Sequence, residues 1–89
     1  MTHCYLLTYT FRERSRYDDL YALLDTYTHH EVGTSSYVIV TEKLMVSVYA
    51  EFSKLADAGD TLCVFRFTGY HATGVPETRK WLSTHVKLT

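Results

Sequence analysis

The chain alternates strand-like and helix-like stretches of apolar residues. From Cys4 to Phe11 the residues are Tyr, Leu, Thr and Phe, types that favour strands; period-two geometry puts Tyr5, Leu7, Tyr9 and Phe11 on one face and Cys4, Leu6 and Thr8 on the other. Tyr17, Leu20, Tyr21, Leu24 and Tyr27 then recur at helical spacing, so a helix is expected to end near Thr28, with Ser15 as its N-cap and Asp18 in its first turn. His29–Val32 and Ser35–Thr41 read as strands around a turn at Gly33-Thr34. Met45, Val48, Tyr49, Phe52, Leu55 and Ala56 return to the helical period, and Gly59 suits the left-handed residue beyond a helix end. Thr61–Thr68 is a last strand, with Cys63, Phe65 and Phe67 on one face. Beyond Gly69, in the tail 70–89, Gly74 and then Pro76 at a helix first turn lead into a short helix ending near His85, with Trp81, Leu82 and His85 near one face.

The order βαββαβ plus a tail helix predicts one α+β domain over residues 1–89. Its expected fold is ferredoxin-like, with both helices on one face of an antiparallel sheet. The last strand is then expected antiparallel beside the first. That puts Cys4 and Cys63, each near the start of its strand, too far apart for a disulfide. Both are expected to be buried, reduced thiols.

With 89 residues the chain has room for one small core, which makes self-association a reasonable expectation. The eight tyrosines suit both that core and an interface. A net charge of −1 does not announce a nucleic-acid binder. No apolar run is long enough to cross a membrane, and Met-Thr-His-Cys-Tyr at the start, without a basic n-region or cleavage site, is not expected to act as a signal peptide.

Candidate chemistry is sparse. Arg12, Arg14 and Arg16 follow the first strand and form a cluster able to grip phosphates or carboxylates, or simply a solvated loop. Arg66 interrupts an apolar strand and is a second candidate for binding. His29 and His30 are candidates for general acid–base work, but neighbours in a strand point to opposite faces and cannot easily share a metal. No metal spacing, glycine-rich phosphate loop, Gly-x-Ser-x-Gly or Cys-x-x-Cys is found, so no metal or cofactor is expected. The pairs Asp18-Asp19 and Asp57…Asp60 read as helix-end residues.

Several motifs in order carry a family resemblance: Tyr5-Leu6-Leu7-Thr8-Tyr9, Tyr17-x-x-Leu20-Tyr21-x-x-Leu24, His30, Ser36-Tyr37-Val38-Ile39-Val40-Thr41, Asp57-x-x-Asp60-Thr61-Leu62, Thr68-Gly69 and Gly74-Val75-Pro76-Glu77-x-x-x-x-Trp81-Leu82. Their order resembles the small ferredoxin-like proteins related to the CRISPR-associated spacer-acquisition subunit, in the branch often labelled SinR-like. The resemblance implies a symmetric dimer built through the sheets. It also implies a cytoplasmic setting in a bacterial or phage-infected cell, in phage–host conflict or a toxin–antitoxin pair. In that superfamily some members cleave nucleic acid with a divalent metal bound by a carboxylate after a Tyr-like residue at the end of the first strand, and others are non-catalytic scaffolds. Here Thr10 follows Tyr9, and a hydroxyl has no charge to hold Mg²⁺. The expectation is therefore a non-catalytic homodimer that binds protein or nucleic acid through Tyr9, Thr10, Arg12, Arg14, Arg16 and Arg66. The alternatives are a metal-independent ribonuclease using His29 or His30 with an arginine on the phosphate, and a dimeric small-molecule enzyme or binder with a Tyr- and His-lined pocket.

Overall fold

The computed structural model describes residues 1–87. The elements are β1 (His3–Thr10), α1 (Ser15–Leu24), β2 (Thr28–Gly33), β3 (Ser36–Thr41), α2 (Met45–Ser53), β4 (Thr61–Arg66) and α3 (Pro76–His85). The strands form one antiparallel sheet in the order β2-β3-β1-β4. The molecule is thus a small α+β domain with a four-stranded sheet and three helices.

β1 lies inside the sheet, between β3 and β4, which explains why both of its faces are apolar. Tyr5, Leu7, Tyr9 and Phe11 are buried together with Leu20 and Leu24 of α1, Val48 and Phe52 of α2, and Ile39 of β3. This is the main core, and it fixes α1 and α2 on one face of the sheet. On the other face Cys4 and Val38 pack against Leu82 and Val86, with Leu6, Val32, Val40, Phe67 and Trp81 around them. The tail helix α3 therefore docks on its own chain, opposite α1 and α2. Element order alone does not predict that placement.

β4 lies antiparallel beside β1, as expected, with Thr8 opposite Cys63 and Tyr5 opposite Arg66. Cys4 is four residues along β1 from the partner of Cys63, about 13 Å away at strand rise. Both cysteines are free thiols; Cys4 is buried, whereas Cys63 is only half-buried rather than fully buried as expected.

Several boundaries differ from the sequence reading. α1 stops at Leu24, three residues before Tyr27, because the Thr26 hydroxyl and amide both donate to the Leu23 carbonyl, at 2.7 and 3.0 Å, and tighten the last turn. Tyr27 is thereby directed onto Phe52, with ring centroids 5.6 Å apart. Ser15 is not the N-cap. The chain already turns at Arg14, whose backbone is helical, and no side chain caps the start. The hairpin turn falls at Thr34-Ser35, where Ser35 takes φ 58° and Gly33 pairs with Ser36. α2 ends at Ser53, not Ala56, and β4 ends at Arg66, although the Phe67 amide still donates to the Cys4 carbonyl at 3.0 Å. Gly59 does take a left-handed φ, 92°, and a Cβ there would lie 2.5 Å from Arg12 Nη1.

Candidate binding surfaces

The loop after β1 was the first candidate, and the structure divides its three arginines among three jobs. The Arg12 amide donates to Asp60 Oδ1 at 2.8 Å, while its side chain lies over Gly59. Arg16 Nη2 donates to Asp57 Oδ2 at 2.6 Å. The other oxygen of Asp60 accepts the Asp57 amide at 2.8 Å. These two backbone donors hold the Asp60 carboxyl below its ordinary range. The β1–α1 and α2–β4 loops are thus latched by Asp57 and Asp60. Arg14 stands apart, on an open cleft with Tyr9, Tyr17, Tyr21, Asp18 and Glu31. The cluster legible in the sequence is therefore no uniform basic patch.

Thr10 is exposed at the end of β1, opposite Thr61. Its nearest acidic neighbour along β4 is Asp60, whose oxygens are taken by the amides just described. Among the described residues no three His, Cys, Asp or Glu side chains gather as a metal-ligating group. Tyr9 is buried, not exposed. Its ring packs with Phe11, Tyr17 and Tyr37 at 5.6, 5.8 and 6.1 Å, and burial pushes its phenol well above the ordinary value. Tyr9 shapes that end of the domain from within.

The two histidines face opposite ways, as strand geometry requires. His29 Nδ1 lies 2.9 Å from the Tyr27 carbonyl, and its ring lies 5.9 Å from Tyr37. His30 is stacked on Trp81 of α3, centroids 5.2 Å apart at 20°, with Nε2 3.2 Å from Thr78 Oγ1. Register puts His30 beside Val38, and Val38 beside Leu6 of β1. Arg12 lies six residues further along, about 20 Å at strand rise. Within one chain the histidines lie on the edge strand β2, level with the middle of β1, whereas Arg12 and Arg16 are held by the loop before β4, the other edge; Arg14 alone approaches the β2 side, in the cleft it shares with Glu31.

Three features were not legible beforehand. On the α2 side, Glu51 accepts from Tyr27 Oη at 2.9 Å and from Lys43 Nζ at 2.7 Å, and the lysine holds the Glu51 carboxyl low. At the start of β1, Arg66 shares a small pocket with His3 and Lys87. On the α3 face, the helix and Val86 cover Val38 and the start of β1 at Cys4 but leave Phe65 of the edge strand β4 largely uncovered. Leu6, Val38, Phe65, Phe67, Tyr70 and Leu82 line a largely apolar groove of about 400 Å³ there. Phe65 is 54% exposed. The alternation of Cys63, Phe65 and Phe67 marked one face of β4, but only the docking of α3 decides how much of that face is covered.

No family model matches the chain, and no curated protein matches it. Among solved structures, the crystal structure of a hypothetical protein from Thermus thermophilus superposes with a TM-score of 0.68. It is 24% identical and aligns over 84% of this chain and 94% of its own. At that identity the likeness concerns the fold alone. No helix among the described residues is long and apolar enough to cross a membrane.

Proposed function

We propose that this chain is a ferredoxin-like, non-catalytic binding module that acts as a symmetric homodimer. On this reading it belongs with the small proteins related to the CRISPR-associated spacer-acquisition subunit. It would hold a protein or nucleic-acid partner in a phage–host or toxin–antitoxin setting. The observation that carries the reading is the apolar groove beside α3, with Phe65 of the edge strand β4 exposed on it. An apolar face of this kind on a small domain favours an isologous contact with a second copy. The sheet order, the split of α1 and α2 onto one face, and the ordered motifs described above support the fold assignment. Thr10 at the end of β1 favours binding without metal-dependent cleavage.

Light scattering after size exclusion tests the dimer. The expected mass is twice the 10.3 kDa of one chain, and Phe65→Lys is expected to weaken association at least about 30-fold. A monomeric wild type, or a variant that dimerises equally well, overturns the assignment of this face. Anisotropy with labelled single-stranded RNA and duplex DNA, in Mg²⁺ or EDTA, tests the partner. Salt-sensitive binding with intact strands supports a nucleic-acid module. Cleavage in EDTA points to the histidine ribonuclease, and Mg²⁺-dependent cleavage removes the non-catalytic reading. Absence of binding leaves a protein partner.

The groove also favours a second reading, a small apolar ligand, because its volume lies in the range of ligand sites. Native mass spectrometry of the purified protein separates the two: a co-purified small molecule supports it, and a bare dimer does not.

A further inference from the structure

We infer that the end of the sheet where β1 begins and β4 ends binds a single phosphate group, held by Arg66 and Lys87 with His3 beside them. The site is distinct from the open sheet face and from the arginine loop, which lies at the other end of β1.

The placement follows from the antiparallel pairing of β1 and β4. Arg66 is opposite Tyr5, and the Phe67 amide bonds to the Cys4 carbonyl, so the last residues of β4 run beside the first residues of β1. α3 then returns the chain to the same end: Val86 packs in the cluster with Cys4, and the next residue, Lys87, reaches the pocket edge. Three chain segments distant in sequence thus meet around a pocket of about 70 Å³, walled by Met1, Thr2, Cys4, Phe67 and Thr68. That is room for one small anion.

Among the described residues its charged side chains, Arg66 and Lys87, are both cationic. Arg66, Lys87 and His3 line it, and among the described residues no Asp or Glu does. No carboxylate among the described residues pairs with Arg66, in contrast to Arg16, which is held by Asp57. Lys87 Nζ has only a long contact, 3.4 Å, to the Ser83 carbonyl. His3 Nδ1 is buried without a hydrogen-bond partner, a condition that folded proteins rarely leave unexplained. An arginine fork with a lysine ammonium offers donors to three or more oxygens, which a phosphate has and a carboxylate lacks. The C-terminal end of α3 opposes this with its negative dipole end, but the effect is confined to the last turn and is weaker than two full cationic charges.

The same chemistry is presented by free phosphate and by a terminal phosphate on an oligonucleotide. The test is an NMR titration of the full chain with inorganic phosphate, following the His3 ring and the amides of Thr2, Phe67 and Thr68, with sodium chloride at matched ionic strength as control. Saturable shifts at these groups are expected, at least about fivefold weaker in Arg66→Gln and in Lys87→Gln. A second arm compares a short RNA carrying a 5′-phosphate with the same strand ending in a hydroxyl. A preference for the phosphorylated strand assigns the site to nucleic-acid ends, and equal binding alongside saturable inorganic phosphate assigns it to the free ion. Non-saturating shifts, shifts matched by chloride, or shifts unchanged in both variants overturn the site. Both variants lie at the exposed end of the sheet, and an unchanged wild-type amide spectrum elsewhere verifies their fold.

Discussion

Both oxygens of Asp60 are engaged by backbone amides, those of Arg12 and Asp57, while Glu51 is engaged by Lys43 and Tyr27. Each carboxyl is held below its ordinary value, 3.8 for Asp60 and 4.5 for Glu51. Such groups take up protons more readily unfolded than folded. Their contribution is complete above the ordinary values and drains away as pH falls through the lowered folded ones. The melting temperature of the wild type is therefore expected to fall steeply between about pH 5 and pH 2, and that of Asp60→Asn/Glu51→Gln less steeply. Parallel melting curves would show that these carboxylates do not set the acid limb. The cysteines make a second contrast at this scale. Cys4 is 3% exposed, burial pushes its thiol up, and Cys63 is half-buried. Under native conditions a maleimide is expected to modify Cys63 alone, with Cys4 reacting only in denaturant and no intramolecular disulfide forming on oxidation. Peptide mapping by mass spectrometry reads both.

At the scale of elements, the two helical layers differ in how much they hold. α1 and α2 share one core with all of the inward face of β1, and Phe52 is completely buried in it. α3 rests on a smaller cluster through Leu82 and Val86, assisted by Trp81, which stacks on His30 and meets His85 at a tilt. Phe52→Ala is expected to cost about 3–5 kcal/mol and to lower the melting of the whole domain. Leu82→Ala, at about 2–4 kcal/mol, is expected to act locally first, raising hydrogen exchange in α3 before the sheet. Equal exchange in α3 and β1 in that variant would mean that the tail helix is part of one cooperative unit. This order follows from packing: α3 covers a sheet that already pairs without it. α2 adds a feature of its own, since Val46 and Tyr49 face outward, so its apolar content exceeds what the inward face consumes.

For the molecule as a whole, the sheet has one face closed by two helices and the other only half closed by one. The open half is what the proposed dimer would use, and the Phe65→Lys experiment belongs to this scale, because it reads the fate of a surface rather than of a contact. The histidines and the arginine loop also have to be judged here. Each is an ordinary candidate for phosphate chemistry by residue type, yet sheet order puts the histidines on the β2 edge, while Arg12 and Arg16 are latched to the loop before β4, the opposite edge.

Local physics made much of this legible in the sequence. Alternation over Cys4–Phe11 picks out the buried face of β1, and helical spacing picks out Leu20, Leu24, Val48 and Phe52, but the same spacing includes Tyr21 and Tyr49, which the structure leaves exposed. The same reasoning placed β4 beside β1 and separated the cysteines, and Pro76 marked the start of α3 correctly. Helix ends were less legible. Tyr27 continues the helical spacing, yet hydrogen bonds by Thr26 stop α1 first, and a periodicity cannot report the turn that interrupts it. Tertiary structure alone decided which face α3 covers, that Asp57 and Asp60 occupy the arginine loop, that Tyr9 is buried, and that His3, Arg66 and Lys87 meet. Each of these depends on segments far apart in the chain, and their meeting is set by sheet order and register, which residue spacing does not encode.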